Sequence, residues 1–309
     1  MEKEASELNY VRPEDSAYSR RVNRVVTFLF TALAFVVFLP VLLVMIVSVS
    51  SQDSVTAVGY SFFPQSFSLD AYRYLAGSGG YLARSFFNSL FITAAGTVLG
   101  LLLMCPMAYA LSRKEFRLRG GMLVFIMIPM LFSGGLVASY MVNTQILYLR
   151  NTYLALILPG LCSTWYILIM RNYFMDSLPD AMLEAAKIDG CRQIEILTKI
   201  VIPVSKPVIM TVAVFEIFSY WNSWYPSLLY LDSNHTELYP LQYVLVNMER
   251  SIDTITRDAQ YLSGMQSYTP PAVTIRMALV VVVILPVMIL FPFFQKFLQT
   301  GMAVGAVKG

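Results

Sequence analysis

Few residues in this chain are suited to catalysis or to metal binding. The sequence holds one histidine, His235, and three cysteines without paired spacing, so it offers neither a zinc-ligand pattern nor a disulfide framework. It contains no Gly-Lys-Ser or Gly-Lys-Thr, the end of a phosphate-cradling loop. No nucleophile stands in a recognisable pattern with a base. We therefore expect this chain to catalyse no reaction and to bind no metal ion or cofactor.

The most distinctive pattern lies in residues 171–206, a stretch that is too polar to cross a membrane. Ser177 and Asp180 have capping-box spacing, and Pro179 suits the first turn of a helix. Good helix formers follow, and Gly190 can end the helix in a left-handed conformation. The pattern predicts a short surface helix that begins near Ser177.

A second short helix is predicted over residues 192–200, before Pro203. The two helices would form a helix-turn-helix at the membrane surface. Two interpretations stay open for it. It is either a simple connection between two spans or a knob for a partner's groove, with Glu184 and Asp189 as flanking negative charges.

The composition indicates which elements carry these residues. Hydrophobic residues make up 57% of the 309 positions and charged residues 13%, and the mean hydropathy is +0.62. Ordinary soluble domains carry about 25% charged residues, so this chain has too little polar surface to cover a soluble globule. The net charge of +3 is too small for a phosphate-binding surface. A soluble enzyme, a disordered chain and a nucleic-acid binder are therefore excluded.

Uncharged runs of roughly 20 residues or more, enough to cross a bilayer, occur six times, and Glu216 alone interrupts the fifth. We predict an all-α integral membrane protein with six transmembrane helices. Six spans put both termini on one side of the membrane, and 16 of the 22 Lys and Arg residues fall in segments on that side. The positive-inside rule therefore predicts that both termini are cytoplasmic. The runs cover residues 25–52, 85–112, 120–149, 151–170, 207–231 and 277–295.

The predicted domain organisation follows from these runs. A cytoplasmic segment (1–24) precedes the membrane domain (25–296), and a cytoplasmic tail (297–309) follows it. Within the membrane domain, 171–206 forms the inner loop and 232–271 the longest outer loop.

The inner loop resembles the EAA signature of ABC-importer permeases, E-A-A-x3-G-x9-I-x-L-P. The sequence departs from it only at Ile202, where the family usually has Leu, and this change conserves volume. The positions that match the signature, with the Asp that usually precedes its Gly, are Glu184, Ala185, Ala186, Asp189, Gly190, Ile200 and Pro203.

Two further resemblances narrow the family. The run from Gln295-Lys296 to Gly305-Ala306-Val307-Lys308-Gly309 is similar to the tail of carbohydrate-uptake permeases of the maltose-permease-like family. The runs at 60–64, 68–72, 132–135 and 220–224 resemble the LplC/YtcP-like branch of that family.

The resemblance implies a type I ABC-importer permease fold in a bacterial cytoplasmic membrane, in contact with lipid. It implies one of two related permease subunits, a solute-binding protein that delivers a saccharide, with an oligosaccharide expected, and two ATPase subunits that hold ATP and Mg²⁺. The residues that match the EAA signature would couple the permease to the ATPase, with Glu184 against a basic residue of that partner. The segment from Asp232 to Tyr268 would contact the solute-binding protein.

Candidates for the substrate pathway combine aromatic faces with planar polar groups, because sugar rings show both apolar C–H faces and hydroxyls. An unpaired carboxylate in a span usually faces a bundle interior or water. Trp and Tyr are also typical of membrane-interface belts, and isolated polar residues also join helices, so these interpretations stay open. The candidates are Glu216, Tyr220, Trp221, Asn222, Trp224, Tyr225, Asn88, Ser133 and Asn143.

Two alternative functions share much of this pattern. An ABC permease for a non-sugar solute would carry the same inner loop. A secondary transporter would show inverted repeats and intramembrane ion relays, and the sequence has no clear repeat and a single intramembrane carboxylate.

Overall fold

The computed structural model describes residues 17–77, 79–261 and 272–306. Over these ranges the chain is helical, with one isolated antiparallel bridge between Ser50 and Phe67. The predicted all-α class is therefore confirmed. Parts of the predicted N-terminal segment (1–16), outer loop (262–271) and tail (307–309) lie outside the described residues.

The helices are numbered in chain order. Two π-helical turns, Val142–Ile146 and Leu197–Val201, follow α6 and α10. The α-helices are α1 (Ala17–Ser48), α2 (Gln52–Val58), α3 (Asp70–Gly77), α4 (Gly79–Ser112), α5 (Arg119–Leu131), α6 (Gly135–Met141), α7 (Tyr153–Ile157), α8 (Thr164–Ser177), α9 (Asp180–Ile188), α10 (Gln193–Ile196), α11 (Ile202–Val204), α12 (Lys206–Trp221), α13 (Tyr225–Tyr230), α14 (Leu241–Tyr261) and α15 (Ala272–Ala306).

Candidate membrane spans fall into two groups in the described part of the chain. Three helices are long and apolar enough to cross a bilayer alone: Arg21–Ser48, Gly80–Ser112 and Val273–Phe293. Three further pairs of helices pass the same test only together, so the structure has three spans, or six if each pair is one span. The bent pairs are Arg119–Leu131 with Gly135–Ile146 (113°), Tyr153–Gly160 with Thr164–Ser177 (48°), and Gln193–Val204 with Lys206–Trp221 (82°).

Continuous helices over the third and fifth runs are therefore wrong. The third run breaks at Gly135, whose φ of +80° is a backbone conformation that a residue with a Cβ rarely adopts. In the fifth run α12 ends at Trp221, and α13 begins at Tyr225 with Pro226 in its first turn. Proline lacks an N–H and its ring crowds the preceding helical turn, which favours a break at this point, although α1, α4, α5 and α15 each continue through a proline.

The predicted capping box at Ser177 is also wrong. Ser177 is the last residue of α8, and α9 begins at Asp180 after Pro179, which makes no side-chain cap. Pro179 has φ −57° and ψ 135°, an extended conformation that separates the two helices. A connection of two residues leaves no room for a capping turn of its own.

The described chain divides into two compact units. The first comprises Met1–Tyr72 and Val273–Val281. Two hydrogen bonds join its segments: the hydroxyls of Ser48 and Tyr72 lie 2.9 Å apart, and Thr274 Oγ1 donates to Gln52 Oε1 at 3.0 Å. Polar side chains thus link the end of α1 and the start of α2 to α3 and α15.

The second unit, Arg73–Ala272 with Val282–Gly309, is built on α4. Helices α8 and α12 pack along it, and apolar residues near its C-terminal end, among them Met104 and Leu111, form one core with α8, α9 and α12. Close packing at mid-helix depends on Gly96, because a Cβ there would lie 2.5 Å from the ring of Tyr220.

Replacement of Gly96 by Ala should destabilise this unit by about 1–3 kcal/mol, the usual cost of overpacking. The Tyr220 ring cannot move away cheaply, since its hydroxyl donates to the Ile157 carbonyl at 2.8 Å. Unfolding of the purified protein in denaturant measures the effect. Gly121→Ala is the matched control, because a Cβ at Gly121 meets nothing within 4 Å. Equal stability of the two variants would contradict the packing.

Candidate functional site

Helix α9 presents the acidic and small residues of the inner loop on an exposed surface. Leu183 and Ala186 face the core, with exposed fractions of 3% and 7%. Glu184, Ala185 and Ile188 are exposed, and Ile188 retains 86% of its surface. This side of α9 is therefore covered by no other described part of the chain.

The C-terminal end of α9 closes through a glycine turn. Gly190 has a φ of +80°, which confirms the predicted left-handed conformation. The N–H of Cys191 donates to the Ala186 carbonyl at 3.0 Å and that of Gly190 donates to the Lys187 carbonyl at 3.1 Å. These bonds satisfy carbonyls that a helix end leaves free. The neighbouring Asp189 is exposed on this turn.

The start of α9 is fixed by a largely buried guanidinium, that of Arg113, whose side chain is only 11% exposed. Its groups donate to the Phe174 carbonyl at 3.2 Å and to Ser112 Oγ at 2.9 Å, and Nη1 lies 3.6 Å from Asp180 Oδ1. The same guanidinium lies over the Tyr109 ring, 5.5 Å from its centroid. Arg113 therefore joins the ends of α4 and α8 to the first residue of α9.

A second ion pair holds the far end of α9. Lys187 Nζ lies 3.0 Å from Glu115 Oε1. The backbone N–H of Glu115 and the Lys187 ammonium lower the pKa of the Glu115 carboxyl. A lowered pKa means that the pair is present above the ordinary pKa of a glutamate and is lost only as the pH falls through the lowered value. The attachment of α9 therefore persists throughout the neutral range.

The segment after Gly190 leads from α9 into α12. The Arg192 N–H donates to Glu195 Oε2 at 2.9 Å at the start of α10. Ile200 packs against the core from the π-helical turn, and Pro203 lies in α11, just before the 82° bend. Proline and π-turns are common causes of such bends. Ile200 and Pro203 thus shape the joint between α9 and α12.

Three of the predicted pathway residues direct their polar groups to this chain's own backbone. Tyr220 donates to the Ile157 carbonyl, and Trp221 Nε1 donates to the Val283 carbonyl at 3.1 Å. Asn88 Nδ2 donates to the carbonyls of two residues in the segment between α13 and α14, at 2.7 and 3.2 Å. All three side chains are buried, and their contacts join helices and loops within the second unit.

The remaining pathway candidates do not form one cluster. Asn143 Nδ2 donates to the Ser139 carbonyl at 2.8 Å, and Ser133 Oγ accepts from the Gly135 N–H at the break of the third run. Asn222, Trp224 and Tyr225 lie together in the turn between α12 and α13. Asn222 and Tyr225 are exposed, and the Trp224 ring contacts Tyr225 edge-on and lies beneath the Arg250 guanidinium.

Glu216 is buried inside the second unit, with 2% of its surface exposed. Among the described residues no group hydrogen-bonds to its carboxylate or forms an ion pair with it. This chain alone already covers the Glu216 side chain.

Sequence reasoning missed a polar clamp in the second unit. Asp232 accepts hydrogen bonds from Asn151 at 2.8 Å and from Arg150 at 2.7 Å, and these contacts lower the pKa of its carboxyl. Asn151 also accepts from the Asp232 N–H and has a φ of +57°. The partners are about 80 positions apart in the sequence, so no local pattern joins them. The signal available in the sequence was Asn151 itself, in the short polar junction between two apolar runs.

A model of the family described as "Binding-protein-dependent transport system inner membrane component" matches residues 96–304, which include α9, its glycine turn and the joint to α12. The chain belongs to this family. It is a permease subunit of a bacterial ABC transporter, a membrane channel component and not a catalytic enzyme. Membership implies an ATPase and a solute-binding protein as partners.

The permease is similar to two proteins of Bacillus subtilis (strain 168). It is 37% identical to Protein LplC, over 88% of this chain and 89% of the relative. It is 36% identical to the polygalacturonan/rhamnogalacturonan transport system permease protein YtcP, over 89% of this chain and 94% of the relative. The predicted resemblance to this branch is confirmed.

A solved structure supports the same fold. The permease matches a chain from the crystal structure of a bacterial ABC transporter involved in the import of the acidic polysaccharide alginate. The TM-score is 0.77 and the identity 28%, over 92% of this chain and 98% of that chain. The helical architecture of the permease is therefore that of an ABC importer.

The position of α9 should depend on Arg113 far more than on its neighbour Lys114. Both cations approach Asp180, but Lys114 is 78% exposed and its Nζ lies 3.4 Å away. Exposed pairs contribute roughly 0–1 kcal/mol, whereas removal of a buried cation leaves its partners unsatisfied. Arg113→Gln should therefore speed tryptic cleavage within α9–α10 several-fold. Lys114→Gln should leave it nearly unchanged, and equal cleavage of both variants would contradict the role of Arg113.

Proposed function

We propose that this permease imports an oligosaccharide that an extracytoplasmic solute-binding protein delivers. It forms half of the translocation pathway with a related second permease subunit, and two ATPase subunits supply the energy. The similarity to the polygalacturonan/rhamnogalacturonan permease YtcP and to the alginate importer supports a carbohydrate substrate. The observation that carries the proposal is the exposed surface of α9 within a chain of this family.

The proposed topology has six spans and both termini in the cytoplasm. Three single helices and three bent pairs give the required number, with α12 as the spanning part of the last pair and Gln193–Val204 in the inner loop. Lys and Arg are concentrated on the side that holds 113–119 and 171–206, as the positive-inside rule requires of cytoplasmic loops. In this orientation α9 faces the cytoplasm, where ATP is available to a partner.

Energy would reach the permease through α9. Glu184, Ala185 and Ile188 form the exposed surface that the ATPase would cover, and the small Ala185 lets a partner backbone approach closely. The opposite surface of α9 is packed in the core through Leu183 and Ala186. A displacement of α9 would pass through Ile200 and Pro203 to α12, because ion pairs and core packing fix both ends of α9.

Glu184→Lys should abolish ATP-driven uptake and weaken association with the ATPase about tenfold or more, since a charge reversal at a protein contact costs about 1.4 kcal/mol or more. Co-purification of the tagged permease with the ATPase and uptake into vesicles measure the two effects. Asp176→Lys makes the same reversal at an exposed position of α8 and should leave both near normal. Wild-type assembly of the Glu184 variant would exclude this surface as the contact.

The turn Asn222–Tyr225 is the best candidate for substrate contact, because its polar and aromatic groups remain exposed while Tyr220 and Trp221 are used in packing. Asn222→Ala and Tyr225→Ala should raise the KM for uptake several-fold without loss of assembly. Tyr148→Ala, at another exposed tyrosine, is the control. An unchanged KM in both test variants would assign this turn to the membrane interface.

The source of energy separates the proposal from a secondary transporter. Uptake of labelled oligosaccharide into vesicles should require ATP on the cytoplasmic side and should survive collapse of the proton gradient. Uptake that ignores ATP and stops when the gradient collapses would overturn the proposal. Competition by unlabelled solutes then distinguishes a saccharide from another substrate.

A further inference from the structure

A cavity of about 370 Å³ lies beside α9, a size typical of small-molecule sites. Its walls come from the end of α4, the loop after it, α9 and α10. Most of the lining side chains are apolar: Pro106, Tyr109, Phe116, Leu183, Ile194 and Leu197.

The polar groups of the lining are already used within the cavity wall. Lys187 pairs with Glu115, Arg113 is bound to three neighbouring groups, and the Tyr109 hydroxyl donates to Gln193 Oε1 at 3.2 Å. A polar ligand would find few free partners inside. The interior is therefore suited to a hydrocarbon chain.

The surroundings of the cavity carry excess positive charge. Residues 113–119 hold four cations and one carboxylate. Arg117 directly follows the lining residue Phe116, is exposed, and has no ion-pair or hydrogen-bond partner among the described residues. Lys114 is 78% exposed and makes only a long contact with Asp180. An apolar interior beside exposed cations that make no close ion pair suits an anionic amphiphile.

The cavity also borders the end of a candidate span. Its α4 wall, from Pro106 to Arg113, is the last part of the candidate span Gly80–Ser112 and the residue after it. Basic pockets at the cytoplasmic ends of spans are typical sites for anionic lipid head groups. A lipid at the membrane interface is therefore the anionic amphiphile that could reach this cavity directly.

The surface of α9 that lines the cavity differs from the one proposed to meet the ATPase. At 3.6 residues per turn, the direction of Leu183 and Lys187 is roughly 100° from that of Glu184 and Ile188. One helix can therefore bind the ATPase on one side and border the cavity on another.

We propose that this cavity binds one anionic phospholipid of the cytoplasmic leaflet, with an acyl chain inside and its phosphate at Arg117 and Lys114. The inference rests on the proposed function, because that function places α9 and the loop 113–119 in the cytoplasm. A lipid in this position would support α9 from behind.

Native mass spectrometry of the purified transporter, after exchange into detergent with added dioleoylphosphatidylglycerol or dioleoylphosphatidylcholine, tests the site. The wild type should retain one phosphatidylglycerol and no phosphatidylcholine. Arg117→Gln should lower retention about fivefold, the effect of one cation near a lipid surface. Lys206→Gln, which removes another exposed cation without a described partner, should retain the lipid.

Ala110→Phe, which fills the cavity from α4, should abolish retention while the ATPase still co-purifies. Equal retention of the two lipids, or unchanged retention in Arg117→Gln and Ala110→Phe, would overturn the site. A crosslink to the ATPase from a thiol-reactive photocrosslinker on Ile194→Cys, absent from the chain without this substitution, would also overturn it, since protein would then cover the cavity. Loss of ATPase co-purification from the wild type would instead contradict the proposed function.

Discussion

The guanidinium of Arg113 is the interaction on which the arrangement of the inner loop depends. It is largely buried and bonds simultaneously to the ends of α4 and α8 and to the first residue of α9. A planar guanidinium with five donors can serve several acceptors at fixed angles, which an ammonium cannot do. Because burial of a charge is costly unless it is paired, the three helix ends must stay close to Arg113. This is how the short helix α9 is held rigidly against the ends of α4 and α8.

The ends of the bent helices show how the same chain combines rigid and jointed elements. Gly135, with its positive φ, lies at the break of the third run, while Pro203 and a π-turn precede α12. Each joint exposes backbone groups that a straight helix would satisfy, and in a membrane such groups must find partners within the protein. Asn88 and Asn143 donate in this way to backbone carbonyls, those of Glu237 and Tyr239 and that of Ser139. Buried polar residues that resemble a substrate path therefore also serve as connections between helices.

The two sides of α9 explain why a single short helix can be both attached and available. Leu183 and Ala186 are in the core, and Lys187 is paired with Glu115, while Glu184 and Ile188 remain exposed. Packing and ion pairs fix the helix, so that the proposed force on its exposed surface would be transmitted to α12. A flexible loop with the same exposed residues would not transmit the motion, because part of the force would be used to order the loop against its conformational entropy.

The sequence alone determined the membrane class, the all-α fold, the family and the left-handed Gly190, because these depend on composition, on short fixed spacings and on the conformational freedom of one residue. It did not determine where helices break. The apolar run that ends at residue 231 is interrupted before Pro226, and Ser177 cannot cap α9 because α8 extends to this residue. Nor did it indicate Arg113, Glu115 or Asp232 as positioning residues. Their partners lie tens of residues away along the chain, and only tertiary structure brings such charges within hydrogen-bond distance, since the burial that makes these contacts strong is created by the packing of the helices.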